Sequence, residues 1–243
     1  RTGNHGEGDG EEEVVAHVDA VARCRFSRAG RTDRPGLRRF PGVRTEGLSP
    51  WTTNGRSRLV SNTARTYDLV VWGATGVAGG FVAEHLTERY GADDLSLALG
   101  GRNEARLRDL AAELALAADG WDDLPVVVGD ATDPESLREV ARSTRVVCTT
   151  VGPYTEYGTD LVEACIDAGT DYCDLTGEVT WVREMIDRYH DAAESAGVRI
   201  VHSCGFDSVP ADLGTLLVQS FATAEFGAPC DLVRVYLDGA KGA

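Results

Sequence analysis

The run Gly73-Ala-Thr-Gly76-Val-Ala-Gly79-Gly80 sets glycines at a G-x-x-G-x-x-G spacing, between a short apolar segment and a helix-forming one. The chemistry that spacing suits is phosphate binding. Gly73 permits a tight turn, Gly76 lets the backbone approach a pyrophosphate, and Gly79 lets helix and strand pack closely. The phosphates then meet the N–H groups and the positive dipole end of the helix. Thr75 and Val77 complete the set of turn positions expected to touch a dinucleotide. A glycine-rich packing turn is the bland alternative, but the flanking strand and helix favour the cofactor.

The end of the second strand chooses between two dinucleotides. A carboxylate there would accept from a free ribose 2′-hydroxyl, and this chain instead reads Leu99-Gly-Gly-Arg102-Asn103. Arg102 offers a planar fork of donors to a 2′-phosphate, with Asn103 beside it, so NADP(H) is expected in preference to NAD(H). The competing reading has Arg102 capping the helix or pairing with Glu104.

After the third strand, Asp130 could accept from an adenine amino group, while Thr132 or Asp133 could cap the next helix. After the fourth comes Val151-Gly152-Pro153-Tyr154, where Val151, Gly152 and Pro153 should border the nicotinamide. Tyr154 or Tyr157 could face a substrate, although loop tyrosines are more often surface or contact residues. Asp207 could bind cofactor or substrate, or cap the helix that Pro210 opens. Tyr154 and Asp207 are weak catalytic candidates, and the proton donor stays unassigned.

One exclusion is sharp. Lys241 is the chain's only lysine, and it lies four residues after Leu237. The Tyr-x-x-x-Lys pair of short-chain dehydrogenases, in which lysine lowers a phenol pKa, is therefore impossible here. A Walker-type phosphate loop and a buried Schiff-base lysine are excluded on the same ground.

The elements that must position these groups alternate regularly. Strands are predicted over 68–72, 95–99, 125–128, 145–150, 171–175 and 198–202, with helices over 77–90, 103–118, 134–143, 159–168 and 180–196. The second helix carries Leu107, Leu110, Ala111, Leu114 and Ala118 at the spacing of one buried face. Strict alternation implies an α/β fold, a doubly wound and mostly parallel Rossmann sheet of order 3-2-1-4-5-6 with right-handed crossovers.

Composition divides the chain near residue 65. Residues 1–65 hold 12 arginines against 8 acids, whereas residues 66–243 hold 12 basic groups against 31 acidic ones. The second part would repel phosphate backbones, so no nucleic-acid role is expected. It suits a salt-adapted, halophilic cytoplasmic protein, because in molar salt the Debye length falls to about 3 Å and self-repulsion is screened. Residues 1–65 are too poor in apolar surface to bury a core and read as a disordered or non-native extension, with a basic nucleic-acid-docking tail as the alternative.

No apolar stretch approaches the roughly 18 to 20 residues of a membrane span, and Arg38-Arg39 lacks the apolar run of a twin-arginine signal. The six cysteines (24, 148, 165, 173, 204 and 230) show neither a C-x-x-C pair nor zinc spacing, and most read as buried small hydrophobes.

Two further runs, Asp174-Leu-Thr-Gly177-Glu178 and Ser203-Cys-Gly205-Phe-Asp207-Ser-Val-Pro210-Ala-Asp212-Leu-Gly214, join the glycine turn, Gly-Gly-Arg-Asn and Val-Gly-Pro-Tyr in order. In that combination, over residues 67–243, the chain resembles the saccharopine dehydrogenase-like oxidoreductases, including the trans-acting enoyl reductase branch. The resemblance implies an NADP-binding domain over 66–214, followed by an α/β substrate and dimerisation domain of which 215–243 is only the start. It also implies hydride transfer to a C=N or activated C=C bond, an unknown small-molecule substrate, and a homodimer for a full-length form. The alternative expectation is a non-catalytic NADP(H)-binding module or a degenerate fragment.

Overall fold

The structure, a computed structural model, describes residues 23–25 and 65–235. These fall into two compact units, one of residues 65–209 and one of residues 23–25 with 210–235. The rest of the extension and the C-terminal residues, Lys241 among them, lie outside the described residues.

The larger unit carries six parallel strands, β2 (Tyr67–Trp72), β3 (Leu97–Gly101), β4 (Val126–Val128), β5 (Thr144–Thr149), β6 (Asp171–Asp174) and β7 (Ile200–Val201), in the order β4-β3-β2-β5-β6-β7. Between them run α1 (Val77–Arg89), α2 (Glu104–Ala117), α3 (Pro134–Ser143), α4 (Tyr154–Tyr157), α5 (Thr159–Ala168) and α6 (Val179–Ala196). Counted from β2, this is the doubly wound order that the alternation predicts. The short α4 is the one helix of this unit for which the sequence gives no period.

Side-chain alternation along the strands builds two cores. Val70, Trp72, Val147 and Tyr172 face one way and pack with α3, α5 and α6 through Leu137, Leu161, Val162, Trp181 and Met185. Val71, Leu97 and Leu99 face the other way and pack with Ala83 of α1 and Leu107, Ala111 and Leu114 of α2. Alternate residues of a strand leave opposite faces of the sheet, and parallel sheets need both faces covered. The stripe read from the sequence on α2 is the buried one, and Leu107 and Leu114 each gain roughly 1.5–3 kcal/mol by burial.

Helix starts follow capping chemistry. Asn103 accepts from the Arg106 N–H at the head of α2, and Asp133 accepts from that of Glu135 at the head of α3, with Pro134 in the first turn. Arg65, expected in the extension, instead donates to the carbonyls of Ala141, Arg142 and Ala168 at the ends of α3 and α5.

The smaller unit contains β1 (Arg23–Arg25) paired antiparallel with β8 (Leu232–Arg234), and most of α7 (Val209–Phe226). The Gln219 amide accepts from the Cys230 N–H at 2.6 Å and donates to its carbonyl at 3.1 Å, fixing the turn before β8. The cysteines divide four ways: Cys165 is buried, Cys148 and Cys173 are half-buried and Cys204 is exposed, while Cys230 is disulfide-bonded. The expectation that most cysteines are buried small hydrophobes holds among the described residues for Cys165 and Cys230, whereas Cys148 and Cys173 are half-buried and Cys204, which follows β7 at the sheet's edge, is exposed.

Candidate functional site

Strand β2 ends at Trp72 and the chain turns at Gly73, whose φ of +89° lies in the left-handed region. Gly79 lies against that turn. A Cβ there would sit 2.2 Å from the Gly73 carbonyl oxygen and 2.9 Å from Ala74 Cα, so only glycine lets α1 approach the strand end this closely. Gly76 occupies the N-cap of α1 with no side chain capping the first turn. Gly76, Val77 and Ala78 are exposed. The result is an open helix N-terminus whose N–H groups and dipole favour an anion. Thr75 directs its carbonyl to the Arg106 guanidinium, which donates to it at 3.3 Å.

At the end of β3, Arg102 is exposed and makes no hydrogen bond or ion pair among the described residues. Glu104, the acid nearest it in sequence, is taken by Arg108 one helical turn on, at 2.7 Å. Asn103 uses its oxygen as the cap of α2, so only its amide N–H₂ remains for a ligand. After β4, one oxygen of Asp130 accepts from both the N–H and the hydroxyl of Thr132, each at 2.8 Å. Those bonds, led by the backbone one, hold the Asp130 carboxyl below its ordinary range, with a smaller contribution from the Arg102 charge. Arg102 and Asp130 thus face the same edge, one free cation beside one locally satisfied anion.

Beyond β5, Val151 is half-buried while Gly152 and Pro153 are exposed. Thr150 donates its hydroxyl to the carbonyls of Trp72 and Gly73, each at 3.3 Å, and so ties this strand end to the glycine turn. Tyr154 turns inward. Its hydroxyl donates to the Thr149 carbonyl at 3.1 Å, its ring lies 5.5 Å from that of Trp181, and burial pushes its pKa up to about 12. A phenol so placed is committed to holding the loop. Asp207 is exposed in the turn after β7 and has no hydrogen bond among the described residues.

The densest polar cluster at this edge is one that motif spacing alone does not assign. Asp174, the last residue of β6, has a fully buried side chain. Its Oδ1 accepts from the N–H groups of Thr176 at 3.1 Å and Ser203 at 2.8 Å. Its Oδ2 accepts from the Tyr172 hydroxyl at 2.9 Å and pairs with His202 Nδ1 at 2.6 Å. Burial and the neighbouring Asp174 charge push the Tyr172 phenol well above its usual range, so it remains a donor. The His202 ring is held edge-on by Trp181 at 5.1 Å and Tyr172 at 5.8 Å. Its Nε2 makes no hydrogen bond among the described residues, and the side chain is 9% exposed.

Glu178, four residues after Asp174, reaches back to the Val-Gly-Pro-Tyr loop. Its carboxylate accepts from the N–H groups of Tyr154 at 2.6 Å and Thr155 at 2.9 Å, capping α4. Desolvation alone would raise its pKa, but these bonds outweigh that and hold it below the usual value. The signal for this cluster in the sequence is an acid closing one strand and a histidine closing the next, each at the head of a recognisable run.

Residues 69–201 match the family described as the saccharopine dehydrogenase NADP binding domain. A trans-acting enoyl reductase of Mycobacterium ulcerans is 47% identical over 154 residues, 63% of this chain and 36% of that protein. One from Mycobacterium leprae is 47% identical over 168 residues, 69% of this chain and 39% of that protein. The chain thus spans well under half the length of these relatives. Among solved structures, saccharopine dehydrogenase (L-Glu forming) of Saccharomyces cerevisiae superposes with a TM-score of 0.50 at 20% identity, over 63% of this chain and 31% of that one. At that identity the likeness concerns the fold.

Proposed function

The chain belongs to the saccharopine dehydrogenase NADP-binding domain family, and on that premise we propose that it is the cofactor-holding part of an NADP-dependent oxidoreductase. The observation that carries this reading is the glycine turn running into an uncapped helix N-terminus, with the unpaired Arg102 on the neighbouring strand end. Gly73, Thr75, Gly76, Val77 and Gly79 would hold the pyrophosphate through backbone N–H groups. Arg102 and the Asn103 amide would hold the 2′-phosphate, Asp130 would lie toward the adenine, and Val151 to Pro153 would border the nicotinamide.

When bound, NADPH supplies a hydride to a C=N or activated C=C bond, the reaction class of the enzymes this chain resembles. The fourfold anchoring of Asp174 orients His202 with Nδ1 committed and Nε2 without a hydrogen bond among the described residues. We assign proton delivery to that nitrogen in preference to Tyr154, whose hydroxyl is spent on Thr149, or Asp207, which no contact positions. Asp174 is then a positioning residue.

The test is tryptophan-fluorescence titration with NADPH and NADH in molar KCl, on the chain and on its Arg102→Asp variant. A charged hydrogen-bonding group is worth about 1.5–3 kcal/mol, so the variant should lose on the order of 10- to 100-fold in NADPH affinity while NADH binding changes little. Equal binding of the two cofactors by the unaltered chain, or unchanged selectivity in the variant, would overturn the role given to Arg102.

A further inference from the structure

Cys148 and Cys173 stand opposite one another on the adjacent parallel strands β5 and β6. Neighbouring strands lie about 4.8 Å apart, inside the roughly 4.4–6.8 Å range of Cα separations that a disulfide spans. Both side chains leave the sheet on the face opposite Val147 and Tyr172, and neither cysteine belongs to either hydrophobic core. Interaction with Cys173 lowers the pKa of Cys148, and interaction with Cys148, together with burial, raises that of Cys173. Both are half-buried, whereas Cys165 is buried and Cys204 is exposed.

We propose that Cys148 and Cys173 form an oxidisable dithiol that low-molecular-weight disulfides convert into an intramolecular disulfide. The Cys148 thiolate attacks one sulfur of the small disulfide, forming a mixed disulfide and expelling one small thiol. The Cys173 thiol then gives its proton to water and attacks the Cys148 sulfur, expelling the second small thiol. Two protein thiols are oxidised, and one small disulfide is reduced to two thiols. The pair lies directly behind the functional edge, since Cys148 precedes Thr149, whose carbonyl holds Tyr154, and Cys173 precedes Asp174. The proposal stands independently of the cofactor reading, because the chemistry involves no nucleotide.

The experiment incubates the full 243-residue chain with glutathione disulfide, blocks remaining thiols with iodoacetamide, and maps the products by mass spectrometry. Cleavage after Glu156 and Glu163 separates Cys148 from Cys173, and fragment ions separate Cys173 from Cys165. The expected product is a Cys148–Cys173 linked peptide pair with loss of both alkylation sites, while Cys165 remains protected by the core. In a Cys173→Ser variant the second step is blocked, so Cys148 should retain one glutathione. Modification confined to the exposed Cys204, with Cys148 and Cys173 still alkylated, would overturn the proposal. So would a Cys173→Ser variant that carries no glutathione on Cys148.

Discussion

Two adjacent glycines of α1 should respond to the same substitution with opposite signs. At Gly79 an added Cβ meets only backbone, the Gly73 carbonyl oxygen at 2.2 Å, its carbon at 2.8 Å and Ala74 Cα at 2.9 Å. None of these can rotate away, so Gly79→Ala must lift the start of α1 off the turn. Overpacking of this kind costs about 1–3 kcal/mol, and rigid backbone neighbours place it at the upper end. Alanine returns roughly 0.5–1 kcal/mol through helix propensity. The net loss is then about 2 kcal/mol, or a fall in Tm of roughly 4–8 °C at about 2–4 °C per kcal/mol. At Gly80 the nearest atom to an added Cβ is the Ala74 carbonyl oxygen at 3.8 Å, ordinary contact. Gly80→Ala should therefore keep the propensity gain and raise Tm by roughly 1–4 °C. Circular-dichroism melts of the chain and both variants at one salt concentration decide it. If the two variants shift in the same direction, the close approach of helix and turn is wrong.

Asp174→Ala would strand two N–H groups, the Tyr172 hydroxyl and His202 Nδ1 in a buried site. We expect a loss of about 3–5 kcal/mol in urea unfolding, and a change under 1 kcal/mol would refute the hub. The folded-state pKa of Glu178 is depressed, so its stabilising contribution is complete above the unfolded value, about pH 4.3, and is lost as pH falls through the folded value. The stability gap between the unaltered chain and Glu178→Gln should shrink on acidification below about pH 4; a gap independent of pH would contradict the capping role. With 31 acids against 12 bases over residues 66–243, stability should rise from dilute buffer toward about 1 M KCl. A domain no less stable in dilute buffer would remove the salt-adaptation reading.

Much of this architecture is legible because each element announces itself locally. The α2 stripe, the Asp133-Pro134 start of α3 and the glycine turn are all short-range patterns, and the strands and helices they predict form within a few residues of the expected ends. Choices among partners are not announced locally. Arg102 and Glu104 are close neighbours in the chain, yet helix geometry gives Glu104 to Arg108 at i+4 and leaves Arg102 free. Asn103 invites a ligand role, but a short polar side chain at a helix start meets the backbone first. Tyr154 reads from the sequence as a loop phenol, whereas α4, capped by a carboxylate 24 residues away, turns it into the interior. No local period could announce that helix.

The Asp-Leu-Thr-Gly-Glu run explains why the edge behaves as one object. Asp174 fastens the start of the Ser-Cys-Gly-Phe run through Ser203, and Glu178 fastens the Val-Gly-Pro-Tyr loop through Tyr154 and Thr155. Thr176 lies between the two acids: its N–H donates to Asp174, its hydroxyl accepts from the Glu178 N–H at 3.0 Å, and its carbonyl accepts from the Ser203 hydroxyl at 2.8 Å. Six residues thereby join the carboxyl ends of β5, β6 and β7, and Thr150 extends the connection to the glycine turn. Groups in one hydrogen-bond network do not contribute additively. Loosening the buried Thr176 therefore disturbs His202 and the Val-Gly-Pro-Tyr loop together. A motif whose letters hold strand ends in register tolerates little change in spacing, and this gives the run its diagnostic value without requiring that any of its residues perform chemistry.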